Sequence, residues 1–103
     1  MKNNTFTILT FYQFRQLTEL DKLKVSLEKF CSFNKLRGLI LIAPEGINGT
    51  IAGLNEPMKL LINKIKTEGF TKLENKFSYY KFMPFNRLKV KIKKEIITFS
   101  NNK

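Results

Sequence analysis

Hydrophobic residues in this chain recur by turns at two spacings, and that alternation restricts the fold more than any other feature. Residues 5–12 are rich in Thr, Ile and aromatics, with Phe6, Ile8 and Tyr12 on one face, the period of a strand. Leu20, Leu23, Leu27, Phe30 and Cys31 follow at steps of three and four, one side of a helix. Thr18 is placed to cap that helix, with Asp21 in a capping-box relation to it, and Arg37-Gly38 breaks it. Residues 39–43 are an uninterrupted apolar run, as in a buried central strand.

Pro44-Glu45-Gly46-Ile47-Asn48-Gly49 has turn chemistry, with Asn and Gly to supply positive φ, and residues 50–53 read as the return strand of a hairpin. Asn55 is placed to cap a second helix that has Pro57 in its first turn. Met58, Leu61, Ile62 and Ile65 are its apolar side, and Gly69 stands where a left-handed C-terminal cap belongs. Residues 73–80 form a further strand. After an aromatic-rich bridge, Leu88–Ile92 alternates strictly and is one more. The order is βαββαβ with a short extra C-terminal β segment. Right-handed crossovers then place both helices on one face of an antiparallel sheet, with residues 6–11 and 39–43 central. The fold class expected is α+β, a ferredoxin-like sandwich, and residues 1–103 make one domain.

Composition removes most chemistry. One Cys allows no internal disulfide, and the absence of His excludes the usual zinc sites and the Ser–His and Cys–His pairs. No cofactor is assigned. The longest apolar run, residues 39–43, is far short of the ~20 residues of a membrane helix, and Met1-Lys2-Asn3-Asn4 opens no apolar signal core. A cytoplasmic protein with no membrane partner is expected. Nineteen Lys and Arg stand against eight Asp and Glu, a net charge of +11 that points toward polyanions.

That charge is concentrated near the C-terminus. Lys81, Arg87, Lys89, Lys91, Lys93, Lys94 and Lys103 face the single acid Glu95. In a strand, Leu88, Val90 and Ile92 turn to the core while Arg87, Lys89, Lys91 and Lys93 form one outward row, ~6.6 Å from one to the next. Such a row suits a nucleic-acid backbone; it equally suits an edge strand guarded against aggregation by Lys. Phe77, Tyr79, Tyr80, Phe82 and Phe85 precede it and could stack on unpaired bases, although ten Phe in a chain without Trp are expected mostly to fill the core. Cys31, on an apolar helix face, is expected to be buried and structural. Arg15 follows the first strand as the phosphate-gripping Arg of acylphosphatases does, without the glycine-rich loop such a site needs. The loop Glu45, Gly46, Asn48 and Gly49 joins two strands and reads as a tight turn, with a ligand-facing role for Glu45 or Asn48 as the alternative.

Arg37-Gly38 with the following apolar run, Glu45-Gly46-Ile47-Asn48-Gly49-Thr50, and Pro84-Phe85, Arg87-Leu88-Lys89-Val90-Lys91 and Lys93-Lys94-Glu95-Ile96 together resemble the N-terminal domain of bacterial rhodanese-type tRNA uridine hydroxylases. Phe11-Tyr12-Gln13-Phe14 is similar to that family's first strand. The resemblance spans nearly the whole chain in order. It implies an acylphosphatase-like domain ahead of a rhodanese domain that carries the catalytic Cys, in enzymes of oxygen-dependent 5-hydroxylation of the wobble uridine of tRNA. Cys31 lies in the wrong context to replace that nucleophile, and Met83 stands where the family is expected to carry His before Pro84-Phe85. The chain is thus expected to be the N-terminal part of a longer enzyme, cut soon after Glu95-Ile96-Ile97, with a natural stand-alone module as the alternative.

The function expected is tRNA engagement, with no catalysis by this chain. Partners would be tRNA, through Arg87, Lys89, Lys91, Lys93, Lys94 and Arg37, and the C-terminal rhodanese domain. The alternative is a scaffold or protein-interaction domain whose basic sheet edge docks a partner. RNA-recognition motifs share the topology but need aromatics on the central strands, and residues 49–53 supply none.

Overall fold

The computed structural model of the chain describes residues 5–95. Its elements are β1 (Phe6–Phe14), α1 (Leu20–Phe33), β2 (Arg37–Ala43), β3 (Gly46–Gly53), α2 (Asn55–Thr67), β4 (Glu74–Tyr80) and β5 (Leu88–Ile92). They build one sheet in the order β4-β1-β3-β2-β5. β3 is antiparallel to β1 and β2, and β4 is antiparallel to β1. Each helix therefore joins strands that run the same way with one strand between them, the split βαβ arrangement of a ferredoxin-like sandwich.

One feature of the sheet differs from expectation. β5 pairs with β2 in parallel, so the sheet is mixed, not wholly antiparallel. Tyr80 ends β4 opposite Phe6, and β5 starts beside Gly38 at that same end of the sheet. Residues 81–87 thus cross along one end, and a strand that starts there must run with β2. The middle strand is β3, and residues 39–43 lie between it and β5.

Alternate residues of the three inner strands and of the edge strand β5 fill one core: Leu9 and Phe11, Ile40 and Ile42, Ile47 and Ile51, and Val90. Leu23, Leu27 and Cys31 of α1 and Met58, Leu61 and Ile65 of α2 meet them there, so both helices cover the same face. Phe6, Ile8 and Tyr12 do share a face, as their spacing predicts, but it is the uncovered one; the core side of β1 is Thr7, Leu9 and Phe11. The aromatics of β4 do not fill the core either. Phe77, Tyr79 and Tyr80 are exposed because β4 is an edge strand that no helix covers, and Phe82, just past its end, is exposed as well.

Neither expected helix cap forms. Glu19 precedes α1 in a left-handed conformation (φ 53°), and no side chain caps the helix. The Arg15 and Leu17 amides donate to the Glu45 and Pro44 carbonyls, tying the approaching chain to the β2–β3 hairpin, so Thr18 enters no capping box. Asn55 is the first helical residue of α2, not its cap. The Thr7 hydroxyl donates to its Oδ1 at 3.3 Å, which holds the helix start to β1. Gly69 has the positive φ expected (106°). There the Gly69 amide donates to the Lys66 carbonyl and the Phe70 amide to the Ile65 carbonyl, a Schellman end sealed by two core residues.

The hairpin turn is only Pro44-Glu45, and β3 already begins at Gly46. Gly46, Asn48 and Gly49 are therefore strand residues, a correction of the longer turn. Their glycines serve close packing: a Cβ at Gly46 would strike the backbone of Gln13 and Phe14 across the ladder.

Candidate nucleic-acid interface

The strand register decides which side chains share the uncovered face. Gly38, Ile40 and Ile42 pair with Leu88, Val90 and Ile92, whereas Leu39 and Leu41 pair with Lys89 and Lys91. The Gly38 amide donates to the Arg87 carbonyl and the Lys93 amide to the Ile42 carbonyl, which extends the ladder at both ends. Arg87, Lys89, Lys91 and Lys93 thus form one exposed row on the face away from the helices, with Arg37 beside Arg87. Val90 is buried at 5% exposure, while Ile92, at 37%, sits at the rim instead of in the core. Lys94 lies beyond the end of β5 and is exposed. Ile96, which closes the basic motif, is outside the described residues.

Ion pairs join Lys22 to Glu19, Lys24 to Glu28, Lys59 to Glu56 and Lys64 to Glu68, along the helices and at their ends. The acids they use lie on or beside the helices, whereas the β5 row is on the opposite face of the sheet. Four cations side by side at a sheet edge attract a polyanion more strongly than isolated surface charges do, since their fields add along the strand.

Other expected residues fall elsewhere. Asn48 is on the uncovered face, between Tyr12 and Leu41. Glu45 is at the hairpin turn, where its carbonyl accepts from Arg15. Gly49 faces the core. The Arg15 guanidinium lies 5.1 Å from the centre of the Phe70 ring, a cation–π contact. The Arg15 and Leu17 amides are bonded to the hairpin and so are not offered to a phosphate there. Cys31 is buried as expected, and burial pushes its thiol up to about 12. Met83 lines a groove with Phe6, Phe33, Arg37 and Leu54, near the end of the sheet that Arg37 occupies. Among the described residues no group of His, Cys, Asp and Glu is placed to hold a metal ion, and no helix is long and apolar enough to cross a membrane.

Sequence reasoning missed the rest of the face. Tyr12 and Phe14 of β1 lie on it with ring centres 6.1 Å apart at 67°, and Lys76 of β4 lies in the same transverse row as Lys89. The lack of aromatics holds for β3 but not for its neighbour β1. The signal was present in Tyr12-Gln13-Phe14, two aromatics two residues apart, but a strand ended at residue 12 loses it.

Comparison with known proteins bears on the family and the fold. The family described as the UPF0176 acylphosphatase like domain matches residues 6–96. The tRNA uridine(34) hydroxylase of Brucella anthropi is 39% identical over 95% of this chain and 32% of its own length. That of Mesorhizobium japonicum is 41% identical over 88% of this chain and 30% of its own. The chain thus spans about a third of the length of these curated relatives. Among solved structures, BlrP1 BLUF aligns with a TM-score of 0.66 at 16% identity, over 91% of this chain and 67% of that one. Full-length HypF in its phosphate- and nucleotide-bound form aligns with a TM-score of 0.60 at 12% identity, over 84% of this chain and 12% of that one. At such identities the likeness concerns the fold alone.

Proposed function

This chain belongs to the family of UPF0176 acylphosphatase-like domains, and on that premise we propose that it is the tRNA-engaging N-terminal domain of a wobble-position tRNA uridine 5-hydroxylase. In this reading it acts in the cytoplasm on tRNA without chemistry of its own. Oxygen-dependent hydroxylation falls to a C-terminal rhodanese domain, its partner in the longer enzyme. Relatives identical to it at about two-fifths of the aligned positions, over nearly the whole of this chain, carry the name tRNA uridine(34) hydroxylase. The observation that carries the reading is the row Arg87, Lys89, Lys91 and Lys93, exposed on the uncovered face with Arg37 alongside and Lys94 just beyond.

Lysines that neutralise phosphates release counterions, at ~0.7 per single-strand contact, so four contacts give a log–log salt slope of about −3. Phosphate contacts position the nucleic acid without reading bases. The test is tRNA affinity against salt for the chain and for Lys89→Ala/Lys91→Ala. The double variant should weaken all tRNAs alike and lose about half of the slope. An unchanged slope would return β5 to a charged edge that prevents strand pairing, with the domain left as a scaffold.

A further inference from the structure

The uncovered sheet face holds more than cations. From the β4 edge to the β5 edge, one transverse row reads Lys76, Thr10, Thr50, Leu39 and Lys89, and the next reads Glu74, Tyr12, Asn48, Leu41 and Lys91. Beyond these, Phe14 is followed by Gly46 and Ala43, and Lys93 continues β5. Phe14 is 54% exposed and braced edge-to-face by Tyr12. Gly46 and Ala43, both buried, carry no large side chain between that ring and Lys93. Phe14 also walls a recess of about 510 Å³ with Arg15, Gln16, Pro44 and Glu45.

We propose that Tyr12 and Phe14 form a stacking platform for unpaired bases of a single-stranded RNA segment whose phosphates run toward Lys91 and Lys93. The inference rests on the RNA-engaging reading above and adds to it a base-contacting element. Three strand spacings, about 14 Å, separate the β1 rings from the β5 lysines, so one short strand can meet both. Charge complementarity selects this occupant: Arg37, Arg87, Lys89, Lys91 and Lys93 border the face on one side and Lys76 on the other, with Glu74 the acid that shares it. A protein partner would require a continuous apolar patch, whereas here Thr10, Thr50 and Asn48 interrupt it. Base stacking on aromatic rings tolerates any sequence, because every base offers a π face.

The test is binding of a labelled oligouridine of roughly eight nucleotides, and of a blunt duplex RNA of equal length, to the chain and its variants. Tyr12→Ala/Phe14→Ala should weaken oligouridine on the order of ten-fold per ring that stacks, with the salt slope and the duplex affinity unchanged. Tyr12→Phe should bind as the parent does. Phe14→Ala alone, at an exposed ring, keeps the test open should the double variant unfold. Equal loss for duplex and single strand would overturn the platform, as would no loss at all, the result expected of a face that docks protein. In both cases a salt slope that still depends on Lys89 and Lys91 would leave the phosphate row standing. A parent chain that binds neither RNA would overturn both readings.

Discussion

Gly49 lies directly opposite Phe11 in the β1–β3 ladder, and the phenyl ring occupies the space where its side chain would be. A Cβ there would sit 2.8 Å from Phe11 Cζ and 2.7 Å from the Leu39 carbonyl oxygen. The first is a core ring at 1% exposure and the second is backbone, so neither yields easily. The glycine of the Gly-Ile-Asn-Gly motif is thus a packing residue. Gly49→Ala should destabilise the chain by about 2–3 kcal/mol, the upper range for overpacking, as read by urea denaturation. A cost below 0.5 kcal/mol, the range of ordinary surface substitutions, would show that the sheet can open there.

Cys31 should be inert to thiol reagents in the native chain. Its thiol is buried on α1 and titrates near 12, so almost no thiolate exists at pH 8. Modification should follow unfolding, with a rate that rises with urea. Cys31→Ala should cost on the order of 1 kcal/mol and leave the salt dependence of RNA binding unchanged.

Glu68 ties the two helices together. Its Oε2 accepts from Lys64 Nζ at 2.9 Å and from Ser26 Oγ at 3.0 Å. The hydrogen bond from Lys64 holds its carboxyl below the ordinary value, aided by Ser26 and by the Lys64 charge and opposed by partial burial. A carboxylate lowered in the folded state binds fewer protons there than when unfolded. Its contribution is therefore present above the unfolded value, ~4.3, and is lost as pH falls through the lower folded one. Thermal unfolding of Glu68→Gln should lie below the parent at pH 7, with the gap closing toward pH 3. A constant gap would assign the loss to packing.

The chain should not hydrolyse acyl phosphates despite its fold. The amides of Arg15 and Leu17 are spent on the hairpin carbonyls, and the Arg15 guanidinium is held over Phe70. Turnover of benzoyl phosphate above background would refute this. Arg15→Ala should cost about 0.5–1 kcal/mol through the lost cation–π contact.

By itself the sequence determined the order and type of all seven elements, the apolar side of each helix, the Gly69 helix end and the alternation of β5, because each is a local matter of period or backbone conformation. The grouping of Arg87, Lys89, Lys91 and Lys93 was legible for the same reason. Tertiary structure alone decided what depends on neighbours distant in the chain. Which side of β1 met the helices was set by the pairing of Leu9 with Ile51 and Phe11 with Gly49, since a period of two cannot tell core from surface when both faces carry apolar residues. The parallel β5 followed from the end of the sheet at which residues 81–87 delivered it. The exposure of the β4 aromatics followed from the reach of two helices that cover four strands of five. For the candidate site the division is the same. Spacing within one strand made the cationic row, but only the register across five strands put Tyr12 and Phe14 on its face.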